Sequence, residues 1–115
     1  MTKLTCREII EKYAIPQQKR APRDPSTVPE GKEAPKTHGG GDMLQWGYDI
    51  YYDKIFDHLR EEEINYLEVG ILEGLKLLCF SKFFENADIY GMDIDTSNFN
   101  RYPHDEDFLS RVKDI

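Results

Sequence analysis

The chain has 115 residues, 39% of them hydrophobic and 32% charged, which suits one globular domain but is short for a complete doubly wound sheet. The net charge is +3 over residues 1–40 and −10 over residues 41–115, and the acidic body argues against a nucleic-acid-binding surface. No apolar run approaches the roughly 20 residues of a membrane span, and the N-terminus lacks an apolar signal region. Cys6 and Cys79 show no metal-ligand spacing, so we expect reduced thiols in a cytoplasmic protein. From the charge and the hydropathy we expect neither nucleic-acid nor membrane partners.

The first part of the chain combines one helix with a proline-rich stretch. Thr5 and Glu8 match a capping box, which predicts a helix over residues 5–14. Pro16 is expected to prevent the helix from continuing. Residues 16–42 hold five of the six prolines and few apolar side chains, which predicts a mobile linker or a lid that orders with ligand. We therefore expect an N-terminal helix over residues 1–15, a linker over 16–42 and a folded domain over 43–115.

A second amphipathic helix is predicted over residues 46–60. One side of it carries apolar residues at helical spacing, namely Tyr48, Tyr52, Ile55, Phe56 and Leu59. The other side is charged and carries Asp49, Asp53, Lys54 and Asp57, with His58 expected at the surface. The apolar side should face the core.

The next part of the chain predicts a strand, a helix and a second strand. Residues 64–69 are mostly apolar and rich in β-forming residues, as in a buried parallel strand, and residues 88–94 repeat this pattern. Between them, residues 74–84 return to helical spacing, so the order is that of a right-handed βαβ unit. Beyond a loop, Asp105 is placed to cap a last short helix that extends to Val112.

The candidate site lies in the turn between the first strand and its helix. Gly70 and Gly74 permit a sharp turn and a close ligand approach at a helix N-terminus. Glu68 ends the strand, at the edge where open α/β sheets bind ligands. Asp93 follows Gly74 by nineteen residues, close to the ~20-residue spacing of the acid that holds ribose hydroxyls in dinucleotide-binding folds. Asp95 shares its strand face and competes for the same role, but Asp93 directly ends the apolar run.

The composition of the turn bears on the class of ligand. Leu72 and Glu73 break the G-x-G-x-x-G pattern of dinucleotide sites, and an acidic Glu73 would repel a pyrophosphate. The turn therefore favours a ligand with a positive charge and no phosphate. A βαβ unit with an ordinary tight turn and no ligand is the alternative.

The segment Glu68-Val69-Gly70-Ile71-Leu72-Glu73-Gly74 resembles the first motif of class I S-adenosylmethionine-dependent methyltransferases, loosely E/D-x-G-x-G-x-G, with Leu72 at the middle glycine. Together with residues 83–95 and the helix from Gly47, it looks most like the macrocin-type O-methyltransferases and cephalosporin-hydroxylase-like sequences. The similarity covers about residues 38–95. It implies the N-terminal half of a Rossmann-like α/β fold and methyl transfer to a small-molecule acceptor.

The resemblance also implies roles for single residues. Gly70 and Gly74 would line the methionine portion of S-adenosylmethionine, and Glu68 would orient the turn or the amino group. Asp93 would hold the ribose hydroxyls, and Ile94 would pack near the adenine. Tyr48 would cover the cofactor from the preceding helix, although a role in the core is an equal alternative.

The later strands of such enzymes carry the catalytic base and, where a metal such as Mg²⁺ is used, its ligands, and no such segment is present here. His104 is interpreted as a loop histidine. The sequence therefore assigns no catalytic residue and predicts no metal-binding residue in this chain, and it is consistent with self-association or with a chain that completes the fold. The alternatives are a non-catalytic binding or assembly module and a nucleotide-binding oxidoreductase fragment.

Overall fold

The N-terminal helical segment is longer than the sequence predicts. In the computed structural model, which describes residues 3–20, 47–101 and 103–115, helix α1 spans Cys6–Ile9, a π-helical turn follows over Ile10–Ala14, and helix α2 spans Ile15–Arg20. The capping box is confirmed, because Thr5 Oγ1 accepts from the Glu8 amide at 3.2 Å and the Thr5 amide donates to Glu8 Oε1 at 3.0 Å.

The prediction that Pro16 ends this helix is wrong. Pro16 is the second residue of α2, and residues 16–20, which we expected in the linker, are helical. A proline lacks the N–H of a helical hydrogen bond and its ring crowds the carbonyl four residues earlier. Just before the proline, the Ile15 amide donates to the carbonyl of Ile10, five residues earlier, instead of to the carbonyl four residues earlier. This π-helical hydrogen bond changes the backbone pairing in the turn that precedes Pro16. The remainder of the predicted linker, and residues 43–46 of the predicted domain, lie outside the described residues.

In the part of the chain that the structure describes, three parallel strands form the sheet in the order β1-β2-β3. They are β1 Asn65–Val69, β2 Asp88–Met92 and β3 Val112–Asp114. In β1 and β2, Tyr66 is paired with Ile89 and Glu68 with Gly91, so the predicted parallel pair is confirmed. Strand β3 was not predicted, and Val112, which we expected in the last helix, is its first residue. The strand is hard to predict because it follows the helix directly, has only three residues and pairs with β2 through a register shift.

Over residues 47–101 and 103–115, four helices belong to this α/β unit. They are α3 Tyr48–Phe56, extended by a 3₁₀ turn over Asp57–Leu59; α4 Leu75–Phe83; α5 Ser97–Arg101; and α6 Glu106–Arg111. Asp105 caps α6 as expected, since its side chain accepts from the Phe108 amide at 2.7 Å. No helix among the described residues is long and apolar enough to cross a membrane.

Helix α4 is the centre of the hydrophobic core. It is buried on nearly all sides because the sheet covers one side and the N-terminal helical segment covers another. Its buried residues are Leu75, Leu77, Leu78, Cys79, Phe80, Ser81 and Phe83. On β1, Tyr66 contacts the rings of Phe80 and Phe84, with centroids 5.0 and 5.7 Å away. The Arg111 guanidinium donates to the carbonyls of Ser81, Phe84 and Ala87 and so satisfies the C-terminal end of α4.

Only one face of the sheet is covered by the helices described here. Leu67, Val69 and Met92 lie on the opposite face and are 56%, 72% and 55% exposed. The prediction of a fully buried first strand is therefore wrong for β1, whose side chains alternate between the two faces.

Helix α3 has a buried acidic flank. Asp49 is only 2% exposed and accepts from Arg7 Nε at 3.3 Å, and Asp53 accepts from the Cys6 amide at 2.9 Å. The prediction that these residues mark a solvated side is wrong, because the N-terminal helical segment packs against that side. Tyr48 and Ile55, predicted to face the core, are about half exposed, whereas His58 is exposed as expected.

Candidate functional site

The turn after β1 contains three residues with left-handed backbone conformation. Gly70, Leu72 and Gly74 have φ of +83°, +49° and +89°. Leu72 therefore adopts, at a cost of about 1–2 kcal/mol, a conformation that glycine adopts without strain. The turn is closed by backbone hydrogen bonds of 2.7 Å from Gly70 to the Met92 carbonyl and from Gly74 to the Ile71 carbonyl.

The Asp93 carboxylate holds this turn against the end of β2. Its Oδ2 accepts from the amides of Ile71 and Leu72 at 2.8 and 3.0 Å, and its Oδ1 accepts from the Asp95 amide at 3.0 Å. The amides of Asp95, Leu72 and Ile71 lower the pKa of Asp93, so it is ionised at neutral pH. The Ile94 amide also lowers the pKa of Asp93, so backbone amides engage most of the roughly four acceptor positions of this carboxylate.

Asp95 has a different task. Its Oδ1 accepts from the Ser97 amide at 2.9 Å at the start of α5, and Ser97 lowers its pKa. Of the two acids that the sequence could not separate by strand parity, Asp93 is therefore the one bonded to the glycine turn.

Of the other predicted site residues, two lie on the exposed edge with Asp93. Apart from its two chain neighbours, no described residue has an atom within 4 Å of the position that a Cβ on Gly70 would take, so a ligand can approach its backbone. Ile94 is fully exposed directly after Asp93.

Tyr48 lies at the start of α3, in a shallow cavity of about 220 Å³ that it forms with Tyr51 and Tyr52. Since Tyr52 contacts Phe80 and Phe56 contacts Phe84, α3 runs alongside α4 and Tyr48 lies at the end nearer the turn.

Glu68 lies on the helix-covered face, beneath the turn. Tyr66 Oη donates to Glu68 Oε1 at 3.1 Å. Burial raises the pKa of Glu68 to about 7, while the Tyr66 hydroxyl and the nearby Lys76 partly oppose that shift. Glu68 is thus partly protonated at neutral pH and contributes less negative charge to the site than the sequence suggests.

Gly74 and Glu73 are buried. The Phe99 ring lies so close that a Cβ on Gly74 would be 2.7 Å from Cδ2 of Phe99 and 3.5 Å from Cε1 of His104. Glu73 is 7% exposed, so the acidic side chain that we expected to repel a pyrophosphate does not lie on the rim of the turn.

Phe99 and His104 were not predicted to contact the turn. Their rings stack with centroids 4.1 Å apart, and His104 Nε2 lies 2.7 Å from the Phe99 carbonyl oxygen. Burial lowers the pKa of His104, which favours the neutral imidazole. His104 lies in a loop, as predicted, but no signal in the loop sequence indicated that its ring would pack on Phe99 at the turn.

The described residues contain no group of three or more His, Cys, Asp or Glu side chains able to hold a metal ion. Cys6 and Cys79 are both buried free thiols, and burial raises the pKa of each, which disfavours the reactive thiolate. What the site offers chemically is a partly exposed carboxylate, an open glycine and an exposed apolar side chain at one edge of a parallel sheet. No family model, no curated protein and no solved structure matches this chain.

Proposed function

We propose that this chain carries the cofactor-binding half of a Rossmann-like, S-adenosylmethionine-dependent methyltransferase that acts on a small-molecule acceptor in the cytoplasm. The observation that carries the proposal is the meeting of Gly70, Asp93 and Ile94 at the carboxyl edge of β1 and β2. Ligands of open α/β sheets bind at this edge.

The chemistry of these residues suits a cationic ligand without phosphate. Asp93 is ionised and Asp95 lies beside it, so the edge is negatively charged and attracts a sulfonium while it disfavours a pyrophosphate. A ribose hydroxyl would share the Asp93 carboxylate with the backbone amides or replace one of them, and Ile94 offers an apolar surface for an adenine ring. The open space at Gly70 suits the close approach of the methionine portion.

The cofactor, when bound, supplies an activated methyl group, and the residues of this chain bind and orient it. In-line transfer depends mainly on positioning of the acceptor and on exclusion of water. Among the residues near the described turn, His104 packs on Phe99 and Asp93 is bonded to amides, so neither is placed as an acceptor base. We infer that the acceptor base lies outside the residues described at this turn.

A non-catalytic module is the second candidate. It is favoured by the contacts that the turn already makes, since Phe99 covers Gly74 and three amides engage Asp93. Such a turn is stable without a ligand. Cofactor binding separates the two candidates.

Titration calorimetry with S-adenosylhomocysteine and, separately, NAD tests the proposal. We expect heat with S-adenosylhomocysteine and none with NAD. Ile94→Glu should weaken binding by about tenfold because it replaces an apolar contact by a charge that must be desolvated. Leu109→Glu is the matched control, since Leu109 is also an exposed apolar residue but lies on α6, and it should bind as the unmodified chain does.

The absence of heat with either ligand, from a folded sample, favours the non-catalytic module. Heat with NAD alone favours the oxidoreductase alternative. Equal binding by Ile94→Glu and Leu109→Glu moves the ligand away from the edge that we propose.

A further inference from the structure

The two edges of the sheet differ in their protection against pairing with another strand. Strand β3 has three residues, a register shift against β2 and an exposed Lys113, which are features that keep edge strands from pairing. Strand β1 has five residues in regular register and contains no proline, lysine or bulge. Its outer edge has no strand beside it in the part of the chain that the structure describes.

The backbone of β1 presents hydrogen-bonding groups at this outer edge. The Gly70 amide donates to Met92, and the Ile64 carbonyl accepts from Asp88, so even-numbered residues from Ile64 to Gly70 point toward β2. The amides and carbonyls of Leu67 and Val69 therefore point outward by alternation. An added strand would pair with them without disturbing β2.

Apolar side chains flank the same edge. Leu67 and Val69 are exposed on the open face of the sheet. On the helical side, α3 packs against the N-terminal segment through Asp49 and Asp53, and its other flank carries Tyr48, Tyr51 and Ile55, which are 49%, 67% and 48% exposed. A strand beside β1 would bury the apolar surface of Leu67 and Val69 on the open face, while α3 lies on the other face, where Tyr52 and Tyr66 both contact Phe80.

The charges around β1 select the occupant. Exposed Glu62 and Glu63 precede the strand, and Asp93 and Asp95 lie at its far end, while Lys54 on α3 is offset by Asp57. Two copies paired through antiparallel β1 strands would bring the glutamates of each copy toward the aspartates of the other. This arrangement repels a second copy and attracts a basic segment.

We propose that the outer edge of β1 binds an extended segment of another polypeptide that is apolar at alternate positions and carries Lys or Arg at its ends. The segment adds a strand to the sheet, with main-chain hydrogen bonds for affinity and the α3 flank for specificity. This partner site lies beside the proposed cofactor edge, since Asp93 and Asp95 contribute charge to both, but it does not depend on methyl transfer.

The test uses a short synthetic peptide of alternating valine and threonine with lysine at both ends, added to the full chain. Hydrogen exchange of the Leu67 and Val69 amides should slow on binding, whereas the Tyr66 and Glu68 amides, already directed at β2, should not change. Leu67→Pro removes one outward N–H and should weaken binding by about tenfold or more, while Leu67→Val keeps that N–H and should bind normally. Leu67→Lys, which blunts the edge by charge alone, should also weaken binding.

The proposal is overturned if the peptide does not bind, if exchange slows elsewhere, or if a peptide ending in glutamate binds equally well. Sedimentation of the chain alone measures its oligomeric state and so tests whether a second copy occupies the edge. A dimer that Leu67→Lys converts to monomers would make a second copy the occupant and contradict the basic partner.

Discussion

Replacing Gly74 with alanine should lower the free energy of unfolding by about 3 kcal/mol, measured by urea denaturation. Left-handed backbone costs an alanine about 1–2 kcal/mol, and Gly74 has φ of +89°. The added Cβ would also lie 2.7 Å from the Phe99 ring, which is itself buried and stacked on His104. Such overpacking costs about 1–3 kcal/mol because the ring cannot move into free space.

Gly70→Ala is the matched control for this prediction. Gly70 has nearly the same φ, +83°, but apart from its two chain neighbours no described residue has an atom within 4 Å of its Cβ position, so only the backbone term applies. Gly74→Ala should cost less free energy of unfolding in a Phe99→Ala background than in the unmodified chain, because the added Cβ then no longer meets the ring. Equal costs at the two glycines would show that the packing of Phe99 and His104 on the turn is not as described.

Stability should fall as the pH rises from about 4.5 to about 7 through the titration of Glu68. Its pKa is raised from 4.5 to about 7 in the folded chain, so the folded state holds a proton that the unfolded state has lost in this range. The contribution to the free energy of unfolding is roughly 3 kcal/mol and is lost above the folded pKa. Glu68→Gln, which keeps the acceptor for Tyr66, should remove this slope and be the more stable protein at about pH 8.

The quantity to compare is the difference in free energy of unfolding between the unmodified chain and Glu68→Gln at each pH. His104, whose pKa is lowered, acts in the opposite direction below its unfolded pKa, and the difference cancels it. Tyr66→Phe removes the hydrogen bond that opposes the burial of Glu68 and should extend the slope to higher pH. Parallel pH profiles for the unmodified chain and Glu68→Gln would contradict the burial of this carboxyl.

The parts of the fold that could be predicted are those set by local sequence. An apolar strand, a glycine turn and a helix with regular apolar spacing specify the βαβ unit, and Thr5 and Asp105 mark helix starts through their own side chains. The link between Asp93 and the glycine turn follows from the same order, because parallel strands end at one edge.

The parts that could not be predicted depend on contacts between distant segments. Asp49 is buried because Arg7 and the N-terminal helical segment cover it, which its own helix cannot indicate. The stacking of Phe99 on His104 over Gly74, and the pairing of β3, likewise arise only when the chain closes on itself. The π-helical turn before Pro16 is a backbone adjustment that a general rule for proline does not anticipate.

The central claim is that the carboxyl edge of β1 and β2 binds S-adenosylmethionine through Gly70, Asp93 and Ile94. Its most direct test is a titration of the labelled full chain with S-adenosylhomocysteine, followed by backbone amide resonances. We predict saturable shifts at Gly70, Asp93 and Ile94, with the amides of α6 unchanged. Saturation without shifts at these three residues, or the absence of any shift, would contradict the claim.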